Sequence, residues 1–324
     1  MIAVELFTVL LFIFLGARIG GIGIGLAGGA GVIALSLILG VPTSQAFIPV
    51  DVILIIMSVI TAIAAMQVAG GMDWLVQVAE NFLRKHPERI TFYAPIVTFL
   101  MTLMAGTGHT AFSTLPVIAE VAKGQGVRPS RPLSIAVVAS QIAITASPIS
   151  AAVVAFAAML APKGVDYLTL LAVCIPTTFL ACMIGAFVAN FMGGALKDDP
   201  IYQERLEKGL VKLSSTTQRE ILPTAKTATY IFLAAIGFVV CYAAAISKSV
   251  GLIVDPALGR NEAIMTVMLA AAAVIVLITK IDAAKIPSAS TFRSGMTACV
   301  CVLGVAWLGS TFVNAHVDGI KEVA

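Results

Sequence analysis

GTGHTAFSTLP, residues 106–116, cuts an apolar stretch running from 91 to 118 into two halves. The path of these residues sets the topology of everything that follows them. A full crossing here would place every later loop on the opposite side of a membrane from a stretch that turns back. Each half is shorter than the ~20 apolar residues that a helix needs to cross a bilayer. The glycines, hydroxyl residues and histidine between them are polar or conformationally permissive. Lipid offers irregular backbone no hydrogen bonds, so such a break persists only where protein buries it or where it lines a water-filled cavity. Residues 91–118 therefore read as a re-entrant hairpin that enters and leaves on the same side.

The rest of the chain supplies the membrane context. Of its 324 residues, 59% are hydrophobic and 11% charged, against about 25% charged in soluble domains. This is an all-α polytopic membrane protein. Its expected spans are 2–16, 20–40, 52–70, 133–161 with a break near 147, 166–193, 229–247, 263–280 and 294–313. The first run lacks a basic start and a small-residue cleavage site, so it is read as a retained span. Residues 72–89 alternate apolar and charged positions at helical spacing, as an interfacial helix does. The five cysteines lie in apolar segments without metal-site spacing and read as packing residues.

Charge sets the orientation. With the N-terminus outside, sixteen of the twenty basic residues fall in inner segments, from Arg18 to Arg293. Only Lys163, Lys248, Arg260 and Lys321 lie outside. This positive-inside pattern requires the hairpin to return. Five crossings then end near 193, and a second set begins from the inner side. An odd number of crossings followed by similar spans implies an inverted repeat. DWLVQVA (73–79) and DGIKEVA (318–324) are the sequence trace of it. The expected organisation is a first transmembrane repeat over 1–193, a cytoplasmic loop over 194–228, and the first half of an inverted second repeat over 229–324. The second repeat is expected to be incomplete.

Several motifs are accounted for by packing or solvation. GIGLAG (23–28) matches a dinucleotide fingerprint but lies inside a span with no preceding strand. Gly21, Gly25 and Gly29 at four-residue spacing read as a smooth packing face. No HExxH or GxSxG motif occurs, so neither an enzyme nor a metal or cofactor site is indicated. His86 and His316 read as solvated interfacial residues.

The two breaks carry the chemistry. Around Thr107, Gly108, His109 and Thr110, a restarting helix presents free N–H groups and the positive end of its dipole. Around Thr145, Ser147, Pro148 and Ser150, a Ser-Pro pair suits a helix start, with Ser147 as cap and Pro148 in the first position. Two helix N-termini ringed by hydroxyls form an anion site, and a carboxylate is its natural guest. The plain alternatives are a buried turn at the first break and a proline kink at the second. Both breaks within one repeat favour the site.

At this point GARIGGIGIGLAGG (16–29), PVDV (49–52), AGTGHTAFSTLP (105–116), QIAITASPISAAVV (141–154) and TFRSGM (291–296) together resemble the anaerobic C4-dicarboxylate transporter family of bacteria, the Dcu type. The resemblance covers essentially the whole chain. It implies an inner-membrane carrier that exchanges or takes up fumarate, malate, succinate and aspartate. It also implies about a hundred further residues beyond position 324, holding the second hairpin and second broken helix. The partners expected are C4-dicarboxylates and membrane lipid, with a homodimer left open and no nucleic acid. Another anion or ion carrier of the same inverted-repeat group, or a truncated fragment without transport, remains the alternative.

Overall fold

The computed structural model describes residues 2–160, 163–194, 196–210, 221–247 and 250–323; the side chains of 109, 110, 151, 154, 155, 158, 159, 197 and 318–323 lie outside the description. Regular structure among the described residues is entirely helical. Among the described residues, six helices are long and apolar enough to cross a membrane. They are α1 (Ile2–Ile19), α3 (Val50–Val68), α9 (Tyr167–Asn190), α11 (Ala225–Ala245), α12 (Arg260–Thr279) and α13 (Ser290–Val323). At 1.5 Å per residue, even 18 residues reach about 27 Å, close to a hydrocarbon core. Leu37, Phe191 and Leu277 are 81, 70 and 75% exposed, as suits helix faces that acyl chains solvate.

The remaining helices are shorter. They are α2 (Gly23–Ile33), α4 (Gly71–Lys85), α5 (Ile90–Ala105), α6 (Leu115–Gly124), α7 (Ser130–Ile142), α8 (Ala151–Leu160) and α10 (Pro200–Glu207). The expected span over 20–40 is α2 continued by a π-helical segment, Ala34–Ile38. The expected span over 133–161 is α7 and α8, interrupted between 143 and 150.

The chain forms two compact units. One comprises Met1–Ile60 and Phe292–Ala324. In it, Gly20 and Gly21 turn the chain between α1 and α2 with φ of +75° and +53°, a conformation that favours glycine. The glycine packing face differs from the expected one. Gly21 lies in the turn, and Gly29 faces open space. Gly25 does pack closely, as expected, and Gly28 joins it against α13. A Cβ on Gly28 would lie 2.4 Å from the Gly304 carbonyl carbon, and one on Gly304 would lie 1.9 Å from Gly25 O. Small residues thus let two backbones touch. Val9, Val32, Leu35, Val41, Leu308 and Phe312 form the adjoining core. His316 is not simply solvated here: it engages the buried Glu5 carboxylate and packs beside the Phe312 ring.

The second unit is Thr61–Thr291. Helix α4 buries Met72, Val76, Ala79 and Leu83, a stripe at helical spacing. Of these, Ala79 and Leu83 join Ile90, Ala94 and Val97 of α5, Val117, Ile118, Val121 and Ala122 of α6, and Ala136 of α7 in one core. Arg84 pairs with Glu80 of its own helix at 2.8 Å and fixes α4 to α6 through Glu120 at 3.0 Å. Alanines at 94, 136 and 139 narrow the α5–α7 seam, and Thr98 Oγ1 donates across it to Ala136 O at 2.8 Å. At the far end of α9, Arg131 Nε donates to Met192 O at 2.6 Å, and Arg128 pairs with Asp199 at 2.6 Å. The start of the polar segment after α9 is thereby tied to the start of α7.

Candidate functional site

The two sequence breaks lie against each other. Helix α5 stops at Ala105 because Gly106 adopts φ +70°, where an L side chain is strained. A Cβ on Gly106 would lie 3.1 Å from Ile149 Cγ1. One on Gly108 would lie 2.5 Å from Gln141 Nε2 and 3.1 Å from Ser140 O. Gly106 and Gly108 therefore serve close approach to the interrupted α7–α8 segment. Residues Gly108–Thr114 then wind as a 3₁₀ helix before α6 begins. Pro116 stands in the first turn of α6, where its missing N–H costs nothing.

The interruption has its own hydrogen-bond logic. A 3₁₀ turn over Ala143–Ala146 ends at Ser147, whose backbone is extended. Helix α8 starts at Ala151, not at Pro148. Its cap is Ser150, whose Oγ accepts from Val153 N at 3.2 Å and donates to Ile144 O at 2.6 Å. Ser147, expected as the cap, donates instead to Leu103 O of α5 at 2.7 Å. The proline ring of Pro148 removes the N–H at that position, and its carbonyl accepts from Tyr167 Oη at 2.5 Å. A break in low dielectric needs its polar groups paired, and these bonds pair several of them.

Burial separates the expected site residues into two sets. Ser147, Pro148 and Ser150 are buried, as is Gly108. Thr107 is partly buried, and Thr145 is exposed. The side chains of His109 and Thr110 lie outside those described. Thr145 Oγ1 donates to Ile142 O at 2.7 Å. The hydroxyl protons of Thr145, Ser147 and Ser150 thus all go to main-chain carbonyls. Donors that remain on the described segment facing the tip include the amide of Gln141, and a restarting helix adds its first N–H groups.

Gln141 is a residue that motif reading passed over. It is exposed, lies beside Gly108, and stands one turn before Thr145. Among the described residues, its Nε2 makes one long bond, 3.3 Å, to Ser140 Oγ. An amide within an apolar span was the available signal. Thr102 is a second: its hydroxyl is buried without a partner among the described residues, one turn before Gly106. Tyr167 and Arg260 carried no local signal. The Arg260 guanidinium lies 4.8 Å from the Tyr167 ring centre. Among the described residues, no group of three or more His, Cys, Asp or Glu side chains is placed to hold a metal ion.

Comparison with known proteins bears on what such an arrangement serves. A family model described as anaerobic C4-dicarboxylate membrane transporter matches residues 1–324. The chain is 62% identical to the C4-dicarboxylate transporter DcuA of Wolinella succinogenes, over all of this chain and 74% of that protein. It is 54% identical to the DcuA of Escherichia coli K12, with the same coverage. It is 34% identical to an Escherichia coli anaerobic C4-dicarboxylate transporter, DcuB, over 99% of this chain and 74% of the relative. No solved structure matches.

Proposed function

Because the chain belongs to the anaerobic C4-dicarboxylate membrane transporter family, a family of multi-pass membrane carriers and not of enzymes, we propose that it exchanges fumarate, malate, succinate and aspartate across the bacterial inner membrane by alternating access. One observation carries the assignment of the site: the glycine tip at 106–108 lies directly on the last turn of α7 and on Ile149 of the interruption that follows it. The substrate carboxylate is held by the tip, through Thr107, Gly108, His109 and Thr110, with the Gln141 amide on the facing segment, while Thr145 keeps its hydroxyl on the Ile142 carbonyl. Ser147, Pro148 and Ser150 shape the interruption from behind. Backbone N–H groups at helix starts suit a carboxylate, and discontinuous helices at mid-depth are where secondary carriers bind anions.

In this reading 91–118 is a re-entrant hairpin. At 16 and 10 residues, α5 and α6 span about 24 and 15 Å, less than the ~30 Å hydrocarbon core. The N-terminus is periplasmic, 194–228 is cytoplasmic, and 229–324 repeats the start of 1–193 with inverted orientation. A homodimer embedded in lipid is compatible with this arrangement.

The test is counterflow. Proteoliposomes loaded with succinate take up labelled fumarate if the reading is right, and uptake stops without internal dicarboxylate. Gly108→Leu should remove fumarate binding while leaving membrane insertion intact. Unchanged affinity in that variant would take Gly108 out of the site. Coupled uptake of an unrelated anion in place of fumarate would favour a different carrier of the same architecture.

A further inference from the structure

Once the hydroxyls are accounted for, the described side chains of the site supply no fixed positive charge. A dicarboxylate carries two negative charges, and moving them into a low-dielectric site is costly unless they are paired. The described cations nearest α7 and α9 in sequence and contact do not meet this need. Arg128 and Arg131 are held at the Asn190 end of α9 by Asp199 and by the carbonyls of 192–194. Tyr167 starts α9 at its other end, 23 residues or about 35 Å away. At that end the described cations are Lys163, which is exposed, and Arg260.

Arg260 has three features that a purely structural surface arginine does not require. Its Nε is buried and has no hydrogen-bond partner among the described residues. The side-chain hydrogen bond that it does make is long, 3.4 Å to Asn261 Oδ1. It also occupies the first position of α12, where the helix dipole is positive and a cation is disfavoured. Asp166 and Glu262 lie close enough to act on its charge. The guanidinium is held against the Tyr167 ring, 4.8 Å from its centre, and the hydroxyl of that tyrosine bonds the Pro148 carbonyl. One side chain therefore links an under-coordinated arginine to the interruption.

We propose that Arg260 is a substrate-binding residue, which receives one carboxylate of the dicarboxylate while the tip and interruption take the other. The guanidinium fork fits a carboxylate with two parallel bonds, and the unpartnered Nε is one of its donors. Tyr167 is a positioning residue: its ring supports the guanidinium and its hydroxyl holds Pro148. The assignment rests on the carrier reading above, and makes Arg260 the group that separates dicarboxylates from monocarboxylates.

The test uses the full chain in detergent, with labelled fumarate and with butyrate as the monocarboxylate. Arg260→Gln should weaken fumarate binding by about tenfold or more and abolish the preference for fumarate over butyrate. Arg260→Lys should recover part of the affinity. Tyr167→Phe keeps the ring and should change affinity less than Arg260→Gln. On the unaltered chain, phenylglyoxal modification of Arg260, read by mass spectrometry, should be slowed by fumarate and not by butyrate. That last measurement decides the matter even if Arg260→Gln does not fold. Wild-type binding together with undiminished affinity in Arg260→Gln, or modification indifferent to fumarate, would overturn the assignment. An unaltered chain that binds no dicarboxylate would instead overturn the carrier reading on which it depends.

Discussion

The hydroxyl of Ser147 donates to the Leu103 carbonyl at 2.7 Å, tying the interrupted helix to the last turn of α5 across 44 residues of sequence. This bond keeps the interruption and the glycine tip in register. It also changes what the serine does: a proton held by Leu103 O is not available to a carboxylate.

Removing that hydroxyl should therefore cost stability before it costs affinity. Ser147→Ala leaves the part-buried Leu103 carbonyl without this partner, a loss of about 1 kcal/mol. Thermal unfolding in detergent should show it, while fumarate affinity of the folded protein changes little. A tenfold affinity loss at unchanged stability would return Ser147 to direct contact with substrate.

Two glycines of α13 should respond in opposite directions. A Cβ at 304 would lie 1.9 Å from Gly25 O, whereas one at 309 meets nothing within 4 Å. Gly304→Ala should destabilise by about 1–3 kcal/mol or more through overpacking. Gly309→Ala should be neutral or stabilise by up to about 1 kcal/mol, as glycine in a helix costs roughly that against alanine. The unfolding midpoints of the two variants give the answer, and a tolerated Gly304→Ala would show that α2 and α13 do not meet as described.

The pH response of Asp199 has a defined sign. The Tyr202 backbone N–H and the Arg128 guanidinium, with the Ile201 N–H, hold its carboxyl below the usual carboxylate range. A carboxyl with a depressed folded-state pKa stabilises fully above its unfolded value, about 3.9, and less as pH falls through the folded value. Asp199→Asn keeps a capping oxygen but loses the charge. Its melting temperature should sit slightly below wild type at pH 7, and the gap should close below about pH 4. A gap that persists in acid would place the effect elsewhere.

Topology is open to direct labelling. Leu210 is 70% exposed and lies in the polar segment after α10. In a cysteine-free background, Leu210→Cys should resist an impermeant thiol reagent in intact cells and react after permeabilisation. Labelling from outside would invert the orientation and remove the reason for a returning hairpin.

How much of this was legible in the sequence differs by element. The long spans were, because about twenty apolar residues in a row are what a bilayer crossing demands and soluble folds seldom use. Span ends were less so: α13 continues to Val323, ten residues past the expected end at 313, and helicity there does not need a continuous apolar run. The two breaks were located from glycine and Ser-Pro chemistry, and both fall where helices stop. The cap was misplaced by three residues. Either serine suits an N-cap by local rule, and only the nearness of Leu103 diverts Ser147 from that role.

Membrane class, helical content, the positions of the two interruptions and the family could all be read from the order of the residues. Each of these follows from composition, local backbone preference or motif, which act over a few residues. Packing in three dimensions settled which glycines meet another backbone, which hydroxyls are already committed to carbonyls, and that Arg260 reaches the interruption through Tyr167. Those facts join residues tens to hundreds of positions apart. They depend on the close approach of packed helices, and no local pattern encodes which partner a side chain will find.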